Sequence, residues 1–295
     1  MKFMVVSSYV YQLAALIFTL GFASPSLAAN EGFIIGVPIG FTPGTAPIVK
    51  IDPMTGVYAV LNSIGNSYNA LAQDGHGDLY AGSFSVTAEN GRVSRIDPYT
   101  GVPLETFNAV TPGAGDIRGL AFDPTNRLFA AVNRNDAHGS PTVPDDLYEI
   151  DLIHETTTRI GSLGYLGVQA LDFSPSGSLY AWDVNFGLLI VDPITGAATD
   201  INPSIGGTAA IQSLVFAPDG RLFGARQQLF SIDPLTGAFS PIGPGGGPDI
   251  RGIEWIVPEP STFILVLGSV PLIQRRRRSK THLSAAMPTL SPVSG

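Results

Sequence analysis

A six-residue unit that returns along the chain, Ile/Val-Asp-Pro-x-Thr-Gly, constrains this fold more than any other feature. It stands at Ile51-Asp52-Pro53-Met54-Thr55-Gly56, Ile96-Asp97-Pro98-Tyr99-Thr100-Gly101, Val191-Asp192-Pro193-Ile194-Thr195-Gly196 and Ile232-Asp233-Pro234-Leu235-Thr236-Gly237. A worn copy, Ile150-Asp151-Leu152-Ile153-His154, falls between the second and third, and successive aspartates are 45, 54, 41 and 41 residues apart. A second unit, Leu-x-Phe-x-Pro-x-Gly, alternates with the first. Its copies begin at Leu120, Leu171 and Leu214, with a looser one in Leu71-Ala72-Gln73-Asp74-Gly75. An apolar pair follows each: Leu79-Tyr80, Leu128-Phe129, Leu179-Tyr180 or Leu222-Phe223.

Both units carry turn chemistry. The Asp carboxylate accepts backbone N–H groups just ahead of it, Pro fixes φ for the next position, and Gly supplies a residue with positive φ. Each unit therefore joins two short strands, and one repeat reads as four antiparallel strands. Four strands at a period in the forties mark a propeller blade. Five repeats predict an all-β, five-bladed β-propeller of four-stranded antiparallel blades over residues 29–256. The first blade lacks an inner strand of its own. Asp249-Ile250-Arg251-Gly252-Ile253-Glu254-Trp255 nearly duplicates Asp116-Ile117-Arg118-Gly119-Leu120-Ala121-Phe122 and is expected to supply it, which removes the open edges that invite aggregation. The repeat lacks the Trp-Asp signature of WD40 blades and resembles, at the level of fold, the NHL and strictosidine-synthase-like extracytoplasmic propellers.

Composition agrees with short strands and tight turns: 34 glycines, 24 prolines and only 14% charged residues. With no cysteine, the fold is held by its core alone. Once the terminal segments are set aside, 10 basic residues face 23 acidic ones. Such a surface repels phosphate backbones and anionic headgroups, so nucleic acid is not an expected partner.

The two ends read as addresses. Lys2, an apolar run over residues 13–23 and Ser24-Pro25-Ser26-Leu27-Ala28 follow the order of a secretory signal peptide occupying residues 1–28, cleaved after Ala28 or Ala29. At the other end Val257-Pro258-Glu259-Pro260-Ser261-Thr262 leads into an apolar run over residues 263–273, then Gln274 and Arg275, Arg276, Arg277 and Arg278. Prolines on both sides of Glu259 keep the backbone extended, and the arginine cluster would hold the apolar run's end on the cytoplasmic side.

The order Pro-Glu-Pro-Ser-Thr, apolar run, arginine cluster over residues 257–278 resembles the PEP-CTERM sorting signal of Gram-negative bacteria. The resemblance implies recognition and removal of this segment by an exosortase in the inner membrane, with delivery to the cell surface or extracellular matrix. Pro258, Glu259, Pro260 and the four arginines are the residues it assigns to sorting. Two features depart from the family: the apolar run is short of the ~20 residues a span needs and is broken by Pro271, and seventeen residues, 279–295, follow as an expected disordered tail. These departures leave open an anchor that retains the protein.

No catalytic constellation is legible. His76 and His154 lie in turns and His282 in the tail; Gly-x-Ser-x-Gly, His-Glu-x-x-His and phosphate-cradling loops are absent. Asp74-Gly75-His76-Gly77-Asp78 occupies a hairpin slot. Asp145-Asp146, with Asn133, Asn135 and Asp136, reads as a solvated loop in preference to a calcium site, and no metal or cofactor is expected. One column stands out. Asn69, Arg118, Gln169, Gln212 and Arg251 share one position two residues before the inner-strand Leu or Ile, and a small residue follows each: Ala70, Gly119, Ala170, Ser213, Gly252. They are expected to ring one mouth of the axis, either satisfying strand ends and trapped water or forming a shallow polar site for a hydroxyl-rich ligand. The expected function is a monomeric, non-enzymatic surface or matrix protein that binds polysaccharide; the alternative is a secreted polysaccharide hydrolase or lyase.

Overall fold

The computed structural model describes residues 32–39, 46–64, 67–83, 92–108, 116–133 and 142–257. The expected signal peptide, the sorting residues from Pro258 to Arg278 and the tail lie outside them, as do residues 40–45, 84–91 and 134–141 of three long loops. Among the described residues there are twenty strands. In chain order they are β1 (Phe33–Pro38), β2 (Ala46–Ile51), β3 (Tyr58–Ile64), β4 (Tyr68–Gln73), β5 (Leu79–Ser83), β6 (Val93–Ile96), β7 (Pro103–Phe107), β8 (Asp116–Phe122), β9 (Leu128–Asn133) and β10 (Asp146–Asp151). There follow β11 (Thr156–Ser162), β12 (Val168–Phe173), β13 (Leu179–Asp183), β14 (Gly187–Val191), β15 (Ala198–Asp200), β16 (Ser213–Phe216), β17 (Leu222–Ala225), β18 (Leu229–Ile232), β19 (Phe239–Ile242) and β20 (Ile250–Ile256).

The strands form five four-stranded sheets: β4-β5-β6-β7, β8-β9-β10-β11, β12-β13-β14-β15, β16-β17-β18-β19 and β20-β1-β2-β3. This is the five-bladed propeller that the repeats predict. The inner strands β20, β4, β8, β12 and β16 each contact the next and close a ring. The last strand completes the first blade, with Ile34 opposite Trp255 and Gly36 opposite Ile253. That junction is sealed by a core in which Ile34 and Val49 of blade one meet Val215 and Phe223 of blade five, with Phe223 stacked on Trp255 at 6.0 Å between ring centroids. Four further clusters fill the other gaps between blades. The core is thus spread between the sheets, and no blade buries its apolar faces without both neighbours.

The Asp-Pro-x-Thr-Gly units fold as read. Asp52 Oδ1 accepts the N–H of Met54 at 2.8 Å and of Thr55 at 3.1 Å, and the same bonds recur at Asp97. Gly56, Gly101, Gly196 and Gly237 all take positive φ, as the turn requires. The worn third copy keeps the carboxylate bonds, from Asp151 to the N–H of Ile153 and His154, but has Glu155 at φ 51 in the place of glycine.

The small-residue column has a packing cause. A Cβ on Gly119 would stand 2.4 Å from the Leu171 nitrogen, and one on Gly252 would stand 2.7 Å from the Ala70 carbonyl carbon. Inner strands approach their neighbours at this level too closely for a larger side chain.

Candidate functional site

Strand register explains the polar column. Tyr68 pairs with Ser83 and Ala70 with Gly82, so Asn69 has no cross-strand partner. Arg118, Gln169 and Arg251 are skipped in the same way. Gln212 stands just before β16, and its N–H bonds the carbonyl of Ala225, the residue paired with Ser213. A bulge leaves one extra residue out of the ladder and re-aims its side chain. All five lie at the end where the inner strands begin, which is also the end of the loops between second and third strands.

The five do not form one even ring. Arg118 is the hub: its Nη1 donates to Gln169 Oε1 at 3.3 Å and its Nη2 to Asp116 Oδ2 at 3.1 Å. Arg251 grips Asp249 through Nε at 2.9 Å and Nη2 at 2.8 Å, and Arg226 Nε reaches the same carboxylate at 2.8 Å. Asn69 is turned to the neighbouring blade, donating to the Ile117 carbonyl at 2.9 Å, and Gln212 donates to the Ala209 carbonyl at 3.3 Å. The structure therefore brings Arg118, Gln169 and Arg251 toward one another and commits Asn69 to holding blades together.

Electrostatics bind this mouth into one unit. Burial pulls the Arg118 guanidinium below its ordinary range; Arg251 pulls the same way, while Asp116 and Asp145 oppose. The Asp249 carboxyl, which burial alone would raise, is held down at about 2 by its bonds from Arg251 and Arg226. Asp145 goes the other way. Burial pushes it up to about 7 against the Val168 N–H bond and the Arg118 charge, with Asp183 adding to the rise.

Here the sequence reading needs correction. Asp145 and Asp146 were expected in a solvated loop, and both are 0% exposed. Asp146 is held in a two-point ion pair by Arg159, at 2.8 Å from both Nε and Nη2. Asp145 organises the approach to blade four: its backbone bonds Leu163 and Tyr165, and its Oδ2 accepts the Val168 N–H at 2.8 Å. Asn135 and Asp136 lie outside the described residues. Asp74 to Asp78 form the expected hairpin turn, closed by the Asp74 N–H on the Asp78 carbonyl at 3.0 Å.

Ser83 Oγ is buried at this end with no hydrogen-bond partner among the described residues, and so are three further polar atoms: Arg118 Nε, Asp145 Oδ1 and Gln212 Oε1. One is a donor, one an acceptor, and the third a carboxyl oxygen that can serve as either near neutral pH. A cleft of about 330 Å³ between Ala209, Arg226 and Gly245 adjoins Gln212 on the same face. A larger groove of about 640 Å³ lies on the opposite face, at the seam between blades one and five, lined by Phe33, Lys50, Met54 and Arg221. Its Arg221 is already engaged by Asp219 at 2.7 Å. Size favours the groove, but the unsatisfied buried groups favour the mouth, and those groups decide the chemistry.

Sequence reasoning missed a second polar level. Asp172 and Glu254 stand at one equivalent position on β12 and β20, where the other inner strands carry Ala72, Ala121 and Val215. The signal was present as two acids in a column of small apolar residues, hidden in the variable place of Leu-x-Phe.

The fold defines the class: a five-bladed β-propeller with polar bulge residues at one axial mouth. No known protein family and no curated protein matches the sequence. Solved structures share the fold. A chain of a nidogen/laminin complex is 12% identical with a TM-score of 0.50, covering 77% of this chain and 99% of that one. A symmetrical protein of de novo evolutionary emergence is 20% identical at 0.47, covering 77% and 100%. The glutaminyl cyclase of Myxococcus xanthus is 15% identical at 0.42, covering 74% and 75%. At these identities the likeness is one of fold alone.

Proposed function

We propose that this chain is an exported cell-surface or matrix protein whose propeller binds a hydroxyl-rich ligand, a polysaccharide segment, at the loop-face mouth of its axis. The observation that carries the reading is the trio of buried, unpartnered atoms, Arg118 Nε, Asp145 Oδ1 and Gln212 Oε1. A sugar hydroxyl both donates and accepts, so one ring can satisfy groups of both kinds. Export and sorting rest on the sequence: the signal-peptide pattern, and Pro258-Glu259-Pro260 followed by the apolar run and arginine cluster, which suit exosortase processing. Loops of differing length on a rigid scaffold supply the remaining specificity.

A second reading, a polysaccharide hydrolase or lyase, is favoured by one observation: Asp145 has the raised carboxyl of a general acid and sits beside an arginine. One experiment separates the two. The mature protein is passed over immobilised neutral and uronate-bearing polysaccharides, and the eluate is assayed for new reducing ends and unsaturated products. Retention without turnover supports the binding module; turnover lost in Asp145→Asn supports the enzyme. Failure of every polysaccharide to be retained or cleaved removes both. The intact mass of the protein from its host tests sorting, because a chain that still carries Arg275–Arg278 at the surface has not been processed.

A further inference from the structure

Two carboxylates that the proposed binding site does not use stand at one level of the ring of inner strands. Asp172 on β12 accepts the N–H of its own neighbour Phe173 at 2.8 Å and, through Oδ2, the N–H of Phe216 on β16. Glu254 on β20 repeats the pattern, accepting the Trp255 N–H at 2.8 Å and, through Oε2, the Gln73 N–H on β4 at 3.1 Å. Each acid thus bridges its blade to the next: four to five, and one to two. Both side chains are hemmed in by protein but remain partly accessible to water, as befits groups lining the axis.

Their surroundings supply no counter-charge. At the same level β4 presents Ala72, β8 presents Ala121 and β16 presents Val215. Across the ladders, Tyr180 lies opposite Asp172 and Ile35 opposite Glu254. Asp74, Asp123 and Asp219, in the turns just beyond, are acids engaged with the N–H groups of their own turns. No lysine, arginine or histidine side chain acts on either carboxyl among the described residues.

We propose that Asp172 and Glu254 hold one proton in common and act as a pH-sensitive clasp on the closed ring. The four backbone N–H bonds favour carboxylates, while desolvation and the like charge across the axis oppose two of them, and a single retained proton reconciles these demands. Burial raises Asp172 to about 7, and burial together with the Asp172 charge raises Glu254 well above its ordinary range. For an acid raised on folding, the native state keeps a proton that the unfolded chain has released. Stability contributed by the pair is therefore greatest in mild acid and falls as pH rises from about 4 through about 7.

The test uses the full chain in an Asp145→Asn background, which removes the other carboxyl raised to about 7. Melting temperature is followed from pH 5 to 8.5, with and without Glu254→Gln, which retains an oxygen for the Trp255 N–H. The clasp predicts a fall toward alkaline pH that the Gln variant reduces by on the order of 5 °C. Parallel pH curves for the two proteins would overturn it. Should Glu254→Gln fail to fold, carboxyl ¹³C titration of the Asp145→Asn protein decides the matter: two Asp/Glu signals moving together near neutral pH support the clasp, and none above pH 6 overturns it. Calcium is the control. A calcium-induced rise at pH 8 that Glu254→Gln abolishes would replace the proton by a cation and overturn the proposal.

Discussion

The two ends of the propeller axis use their acids differently. At the loop end three carboxylates are bound by guanidiniums, Asp116 by Arg118, Asp146 by Arg159 and Asp249 by Arg226 and Arg251, while Asp145 and Asp183 take backbone N–H groups. Polar atoms are left over there, as bulge residues re-aimed from the ladder. At the turn end, Asp172 and Glu254 are bonded only by backbone N–H groups, and every one of their oxygens is engaged. The contrast follows from what each end is made of. Near-identical Asp-anchored turns build one face and exhaust their hydrogen bonds locally, whereas loops of unequal length build the other and leave side chains to satisfy one another. Substitutions at the turn end should register in stability, and those at the loop end in binding.

Removing the closing strand breaks both ends at once. β20 carries Arg251 at the mouth, Glu254 in the clasp and Trp255 in the seam core. Deleting residues 249–257 is expected to abolish cooperative unfolding altogether, because it exposes the edge of β1 and strips β16 and β4 of the strand packed between them. A soluble truncated protein with an unchanged calorimetric melt would show that the ring does not need closing.

A smaller effect sharpens the contrast between neighbouring aspartates. Asp146 is gripped at two points by Arg159, while Asp145 carries a carboxyl pushed up to about 7 by burial. The folded-state value of Asp145 exceeds its ordinary value of 3.8, so the fold loses stability as pH rises between those two values and is then level. Asp145→Asn should flatten that slope and raise the melting temperature at pH 8 by several degrees, on the order of 1–2 kcal/mol. Denaturant melts at pH 5 and 8 check this, and a slope unchanged by the substitution would count against it.

The binding end is tested by Arg118→Gln and Arg251→Gln. Each removes a guanidinium that another residue partly replaces, since Gln169 remains near the first and Arg226 still holds Asp249. Affinity for whichever polysaccharide the panel retains should drop about tenfold, roughly 1.4 kcal/mol, with little change in melting temperature. Equal affinity with a lowered melting temperature would make the mouth a structural joint.

Why the fold was legible and the site only in part follows from where each is written. The blade count and the closing strand were visible because turn residues cannot vary freely: Asp52, Pro53 and Gly56 are each demanded by backbone geometry. The polar column was visible as a column, but its cause, a bulge, depends on cross-strand register, which no single segment reveals. Asp172 and Glu254 were hidden because a repeat is recognised by averaging over copies, and the clasp lies in the two copies that differ. Asp145 and Asp146 looked solvated from their loop composition. Their burial comes from the 163–168 segment folding back onto Asp145, a long-range contact.

The smallest expected effect concerns the one worn turn, where the turn end departs from its own rule. In four blades a glycine takes the left-handed position, with φ between 66 and 79 at Gly56, Gly101, Gly196 and Gly237. In blade three Glu155 occupies it at φ 51. An L-residue there costs roughly 1–2 kcal/mol through the clash of Cβ with the following carbonyl. Glycine would relieve that, but it also frees the unfolded chain, at about 0.5–1 kcal/mol. The two terms leave Glu155→Gly a net gain of at most about 1 kcal/mol, or about 2–4 °C in melting temperature. Binding at the mouth should not move, because Glu155 lies in the turn between β10 and β11, at the far end of the blade from Asp145 and Arg118. A stabilised variant with unchanged affinity would confirm that the two ends answer to different measurements. A change in affinity without one in stability would show that the third blade transmits strain along its length, and the separation of the two faces would fail at its weakest turn.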